Sequence, residues 1–409
     1  MSIDLLDLAD AEPSRPRVEP PPRPWRLAFV HASARRALDT RAGALSRLVA
    51  EGFEVHVFAP SHPALAEIEA LGATAHPLPA GAGASPAPTA AAFLILQSAF
   101  AQRRFLIAHG EGGAMPWITA WSASRADVPA VVSTVDAHAF ATPDLGPLTR
   151  ALEPYLQVAE DRAFAWLGAH STAYLVTTTE AIAQARELGV DPSHIEPLVG
   201  GDGADHDRFH PDLATRDAAR AALGVPDHWE VTVGACGALD ARRGARELTR
   251  LARELGDHAG LVVAARAPLD PALREALDAR GDRALVLAGE VDRMDLFHRA
   301  VDLFVAPRRT LHIPTAVHEA LATGTPVVGY ATDATAAIVT HNGSGALAPT
   351  GDADALLGYV RDLSSRPERL ARMGEAAASS SRRKWSRRLA HQRLLAIYES
   401  ALQRGLTGG

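Results

Sequence analysis

Residues 305–330 read VAPRRTLHIPTAVHEALATGTPVVGY, and no other stretch restricts the fold of this chain as tightly. A short apolar run from Leu303 stops at Pro307. Thr315, just after Pro314, opens a segment of good or tolerable helix formers that reaches Ala322. Gly324 stands where a C-cap glycine belongs, Pro326 forbids continuation, and Val327 and Val328 open a new strand. A strand, a helix and a strand in so short a span predict a parallel crossover. The helix N-terminus then lies at the carboxyl end of a strand, where free N–H groups and the helix dipole favour an anionic ligand. Thr315 is therefore a candidate binding residue. Glu319, one turn inside, is an acid suited to accept hydrogen bonds from sugar or ribose hydroxyls.

The same alternation fills the chain. In the first half, strands are predicted at WRLAFVH, EVHVFAP, TAHPL, FLIAH, AVVSTV and AYLVTT. Helices fall between them at 44–50, 63–71, 93–105, from Met115, at 148–166 and at 180–188, with a Gly/Pro/Ala loop at 80–88. The second half repeats the pattern with EVTVGA, GLVVAA, ALVLAG and the segment above. Strands separated by helices predict an α/β fold of doubly wound parallel sheets. A length of 409 residues exceeds one ordinary core, so two domains are expected, 25–205 and 206–385, followed by a last helical segment, 386–409. Residues 1–24 are acidic and then proline-rich, and are expected to be a disordered arm.

Composition excludes several classes. A net charge of −7 argues against bulk nucleic-acid binding. The single cysteine, Cys236, forbids an internal disulfide and suits a reducing compartment. No apolar run is long enough to span a bilayer, and the acidic start is unlike a secretory leader. A cytoplasmic location is expected. The arginines of the last helix suit a solvated face, and peripheral contact with the inner face of a membrane stays an option. No Walker A sequence, zinc-protease motif or nucleophile elbow occurs, and the seventeen histidines lack metal-ligand spacing, so no metal site is expected.

Pro307, Glu319-Ala320, Leu321-Ala322, Gly324, Pro326 and Val327-Val328 resemble the donor segment of the family 4 retaining glycosyltransferases. The resemblance implies the GT-B fold, two Rossmann-like domains facing each other across a cleft, with the final helix crossing back onto the first domain. The family loop usually carries two glutamates separated by seven residues, with Gly-Phe-Gly after the first. Here Glu319 fills the second position, Leu311 the first, and His312-Ile313-Pro314 the glycine-rich part. The domain junction also matches, with Gly203-Ala204-Asp205, then Arg208-Phe209 and Pro211. Asp205 and Asp207 could be read as a metal-binding acid pair, but the junction reading is preferred, because enzymes of this type need no metal clamp.

The second domain opens with VGACGALDARRG. Gly237 permits close backbone approach, and the helix after Gly244 offers its N-terminus to phosphate. The family places an arginine and a lysine here to clamp the donor diphosphate. Ala238 stands at the first position and Arg243 at the second. Arg266, Arg308 and Arg309 follow strands and are candidate replacements; one of Arg308 or Arg309 is expected to supply the missing clamp. In the first domain, His109 follows one strand, and Asp136 and His138 follow the next. His138 is the candidate for contact with the transferred sugar or acceptor. Residues 40–43, containing Arg41 and Gly43, sit where the family has a glycine-rich acceptor loop.

The resemblance implies retaining transfer of a sugar from a nucleotide-diphosphate sugar to a hydroxyl of a glycan, lipid or small molecule, with no tightly bound cofactor. Because Ala238, Leu311 and the 312–314 loop all depart from the family in the donor site, two alternatives stay open. One is a degenerate, non-catalytic GT-B protein that acts as a scaffold. The other is a sugar-nucleotide epimerase of the same fold.

Overall fold

The structure, a computed structural model, describes residues 21–82, 85–135, 147–198, 201–237, 239, 244–265, 268–288, 293–309 and 315–407. The arm expected at 1–24 lies almost wholly outside these residues.

The first lobe alternates β1 (Trp25–His31), α1 (Ala34–Ala50), β2 (Phe53–Pro60), α2 (Ala64–Ala70), β3 (Thr74–Leu78), α3 (Pro86–Arg103), β4 (Ile107–Glu111) and α4 (Met115–Ser124). It continues with β5 (Ala130–Val135), α5 (Pro147–Ala169), β6 (Ala173–Val176), α6 (Thr179–Glu187) and β7 (Ile195–Pro197). Its seven strands are all parallel, in the order β3-β2-β1-β4-β5-β6-β7. The second lobe contains α7 (Arg216–Leu223), β8 (Val231–Gly237), α8 (Ala245–Glu254), β9 (Ala259–Ala265), α9 (Pro271–Asp278), β10 (Ala284–Ala288) and α10 (Met294–Ala300). Then come β11 (Leu303–Ala306), α11 (Thr315–Ala322), β12 (Val327–Tyr330), α12 (Asp333–Ile338), β13 (Gly345–Ala348), α13 (Ala353–Ser364), α14 (Pro367–Lys384) and α15 (Arg387–Thr407). Its six parallel strands run β10-β9-β8-β11-β12-β13.

Central strands such as β5 and β9 are buried along their whole length, because helices cover both faces of each sheet. Each sheet accordingly has a core on either side. Strand order reverses beside β1 and β4 in the first sheet, and beside β8 and β11 in the second. Ligands of such sheets bind at those switch points, outside the carboxyl ends of the strands.

Helix α15 returns to the first lobe. Leu394, Ile397, Tyr398, Ala401 and Leu402 are spaced as one helical face and lie in the same core as Trp25, Leu45 and Phe53. Gly405 lets the helix reach β5, since a Cβ there would collide with the Pro129 carbonyl. Arg404 fastens the end by donating to the Thr172 carbonyl at 2.6 Å and to Glu196 at 2.9 Å. Among the described residues, no helix is long and apolar enough to cross a membrane.

Two boundaries differ from the sequence expectation. Helix α1 starts at Ala34, not near Ala44, with Ser33 as its N-cap. Its inward face, Ala34, Ala37, Arg41, Ala44, Leu45 and Leu48, includes a charged residue, which hides the helical spacing. Helix α3 begins at Pro86, inside the segment read as a loop, because proline is well tolerated in a first turn.

Candidate functional site

At the switch point of the second sheet, two glycines face one turn. Gly237 ends β8 at φ +107°, and Gly244 precedes α8 at φ +96°. Pro307 and Arg308, leaving β11, pass over both. A Cβ on Gly237 would strike the Arg308 guanidinium, and one on Gly244 would lie 2.9 Å from the Pro307 carbonyl oxygen. Both positive φ values favour glycine, and at Gly244 the Pro307 backbone also leaves no room for a Cβ. The Arg308 guanidinium stands at the mouth of β8, half-buried.

Arg309 turns away from that mouth. It donates to Glu247 at 3.3 Å and lies over the Tyr330 ring, 5.4 Å from its centroid. The Tyr330 hydroxyl donates to the same carboxylate at 2.9 Å. Burial, reinforced by Glu247, pushes the Tyr330 phenol up to about 12. Arg309 therefore pins α8 to the ends of β11 and β12, while Arg308 lies beside Gly237.

Thr315 opens α11, and Glu319 stands one turn further in with its side chain 15% exposed. Its Oε2 lies 3.3 Å from Nε2 of His298, which is fully buried on α10. The His298 ring packs against Phe304 and Phe209. A buried imidazole thus fixes this acid from behind. Ala238, Arg243, Arg266 and residues 311–314 lie outside the described residues.

The first lobe corrects three expectations. Residues 40–43 are not a loop but lie in the middle of α1. Arg41 is 5% exposed and turned inward, where its Nε donates to Glu111 Oε2 at 3.0 Å, its Nη2 to Oε1 at 3.1 Å and its Nη1 to Asp202 at 2.9 Å. Burial alone would push the Glu111 carboxyl up, but the Arg41 charge overrides it and brings it down to about 2. Gly43 makes room for the Arg387 side chain, whose Cδ would lie 2.8 Å from a Cβ there. His109 is 1% exposed, with Nδ1 2.7 Å from the Tyr398 hydroxyl and Nε2 2.7 Å from Thr134 Oγ1. Burial pushes this imidazole down to about 3, so it stays neutral. Arg41, Gly43 and His109 thus serve packing within the lobe. Asp136 and His138 lie outside the described residues.

The lobes are joined by two chain crossings that pair with each other. The Ala204 N–H donates to the Trp385 carbonyl and the Arg387 N–H to the Ala204 carbonyl, both at 2.8 Å. Asp205 accepts from the Arg387 guanidinium at 2.9 Å and from the Asp207 N–H at 3.1 Å. Both of its oxygens thus serve the junction. Phe209 is buried there against Ala204 and Ala322. Sequence reasoning missed Asp202, Glu247 and His298, because each has its partner on a distant element.

Residues 230–366 match the family model described as glycosyl transferases group 1, and residues 39–201 match a glycosyl transferase 4-like domain. A search of curated protein sequences finds no match. Solved structures of the same fold include Anabaena Alr3699/HepE in complex with UDP and glucose, 14% identical, with a TM-score of 0.70 over 91% of this chain and 98% of that one. Sucrose-phosphate synthase (tll1590) from Thermosynechococcus elongatus is 18% identical, with a TM-score of 0.65 over 91% and 98%. A putative UDP-N-acetylglucosamine 2-epimerase from Listeria monocytogenes is 17% identical, with a TM-score of 0.60 over 91% and 95%. At such identities the likeness establishes the GT-B fold alone.

Proposed function

The chain belongs to the group 1 glycosyltransferases, and from that premise we propose that it moves a sugar, with retention, from a nucleoside-diphosphate sugar to an acceptor hydroxyl. The observation that carries this reading is the meeting of Gly237, Gly244 and Arg308 at the switch point of the second sheet. Two left-handed glycines allow the backbone to approach a diphosphate, α8 offers its N-terminus, and Arg308 brings a cation. The UDP bound by the Anabaena relative supports a uridine donor.

The protein's part is mainly electrostatic. As the sugar–phosphate bond breaks, negative charge grows on the diphosphate. Arg308, with Arg243 and Arg266 as further candidates, stabilises that charge together with the N–H groups at Thr315 and the start of α8. The diphosphate's own oxygen takes the acceptor's proton on the face where the new bond forms. Glu319, held by His298, binds the ribose hydroxyls. Asp136 and His138, beyond β5, orient the sugar and the acceptor. Arg309 has a structural task. The acceptor is a glycan, lipid-linked or small-molecule hydroxyl.

Thermal unfolding with UDP, GDP and ADP and their glucose conjugates tests the reading. Stabilisation by one diphosphate nucleotide, reduced in Arg308→Ala, is expected. A flat response across the set would overturn it. Product analysis without acceptor would reveal an epimerase.

A further inference from the structure

The rim of the first lobe holds a second cation and a buried imidazole that the donor chemistry does not use. His31, the last residue of β1, is 5% exposed. Its Nδ1 accepts the Ser33 N–H at 2.9 Å, so the neutral ring carries its proton on Nε2. Among the described residues, Nε2 has no hydrogen-bond partner. It faces Gly112, where a Cβ would lie 3.7 Å away. Gly112 and Gly113, at φ +83° and +52°, make the turn into α4 and bring no side chain of their own in front of the imidazole.

Beside it starts α1, a helix of 17 residues capped by Ser33. Its first-turn N–H groups point to the same rim, with the positive end of the dipole. Arg36 projects from that turn, exposed, and has no ion pair or side-chain hydrogen bond among the described residues. Its neighbour Arg35 is already paired with Asp39 and Glu67. Glu111 and Asp202, the carboxylates at the end of β4 and in the chain crossing, are both engaged by Arg41. A helix start, a buried N–H donor and an uncompensated guanidinium thus meet at the switch point of the acceptor lobe.

We propose that this is an oxyanion subsite for the acceptor: the sugar or polyol that receives the glycosyl group carries a phosphate or carboxylate, which accepts from His31 Nε2 and pairs with Arg36. The proposal rests on the reading of the first lobe as the acceptor lobe. It narrows the acceptor from any hydroxyl compound to an anionic one. It also implies that the reaction supplying this acceptor is a phosphorylation or an oxidation to a sugar acid.

The test is calorimetric titration of the full chain, at matched chloride and with UDP saturating the donor site. Glucose 6-phosphate, inorganic phosphate and glucuronate are the probes, with glucose as the neutral control. Binding of at least one anion, but not of glucose, is expected. In Arg36→Ala that binding should weaken by roughly tenfold or more, and in His31→Gln by a smaller factor, since a charge-assisted hydrogen bond is lost in each. Arg36 is exposed, so its variant folds, and the thermal shift with UDP should be unchanged in it. Preference for the phosphates identifies a phosphorylated acceptor, and preference for glucuronate a sugar acid. The proposal falls if no anion binds above chloride, or if Arg36→Ala binds as tightly as the wild type. Loss of the UDP response in the wild type would overturn the donor reading, while the anion titrations still report on this subsite.

Discussion

Arg41 and Glu111, 70 residues apart, meet in a bidentate ion pair inside the first lobe, with Nε and Nη2 on the two carboxylate oxygens at 3.0 and 3.1 Å. The remaining guanidinium nitrogen reaches Asp202 in the chain crossing between lobes. One buried cation thus ties α1, the end of β4 and the junction together. Arg41→Ala would leave two half-buried carboxylates without this partner, at a cost of up to about 3–5 kcal/mol. The expected result is a lower Tm by several degrees, with Arg41→Lys intermediate because a lysine cannot make the fork. An unchanged Tm in the alanine variant would show that water replaces the arginine.

Acid should destabilise this protein in two stages. Burial holds His109 down to about 3 in the folded chain, against about 6.5 when unfolded. Below about pH 6.5 the unfolded state binds a proton that the folded state refuses, so stability falls as pH drops from there towards 3. His31, His56, His76 and His391 are lowered in the same sense. Glu111, held to about 2, adds stability that is fully present above about pH 4.5 and is lost as pH falls through 2. His109→Gln keeps hydrogen-bonding capacity without the titration. Its Tm should decline less steeply than the wild type between pH 6.5 and 4.5. Parallel slopes would exclude His109 as a contributor.

The hydroxyl of Tyr398 on α15 is bonded to His109 across 289 residues, in a site with no exposure. Tyr398→Phe removes that bond and leaves a buried ring nitrogen without a partner. A loss of about 1–3 kcal/mol is expected. Denaturant titration should show the midpoint moving with little change in slope, because the helix stays docked through Leu394, Ile397 and Leu402. A larger slope change would mean that α15 comes away from the first lobe as a unit.

The two sheets were legible because alternation depends on local apolar runs and on breakers such as Pro307, Gly324 and Pro326. The face of α1 was not, since Arg41 occupies a buried position that makes sense only with Glu111 and Asp202 beside it. His109 follows the same logic. A histidine at a strand end suggests a cleft, and only the return of α15 shows that Tyr398 covers it. His31 could not be picked out at all, because its role depends on where the Ser33 N–H points. On the donor side, a pair of arginines after β11 was visible, but not the divergence of their side chains.

That divergence yields the sharpest contrast between variants. Arg308 crosses Gly237 at the mouth of β8, whereas Arg309 is held by Glu247 and Tyr330 on the other side of the strand end. If the diphosphate is bound where the glycines allow, Arg308→Ala removes a charge-assisted contact worth roughly 1.5–3 kcal/mol. UDP affinity should then fall by about ten- to a hundredfold. Arg309→Ala should leave that affinity alone. Its pair with Glu247 is half-exposed and worth about 0–1 kcal/mol, so a small loss of Tm and an unaltered UDP affinity are expected. Titration of both variants with UDP, alongside unfolding curves without it, measures these quantities. Equal affinity losses in the two variants would place the phosphate between the arginines and refute the assignment of separate tasks.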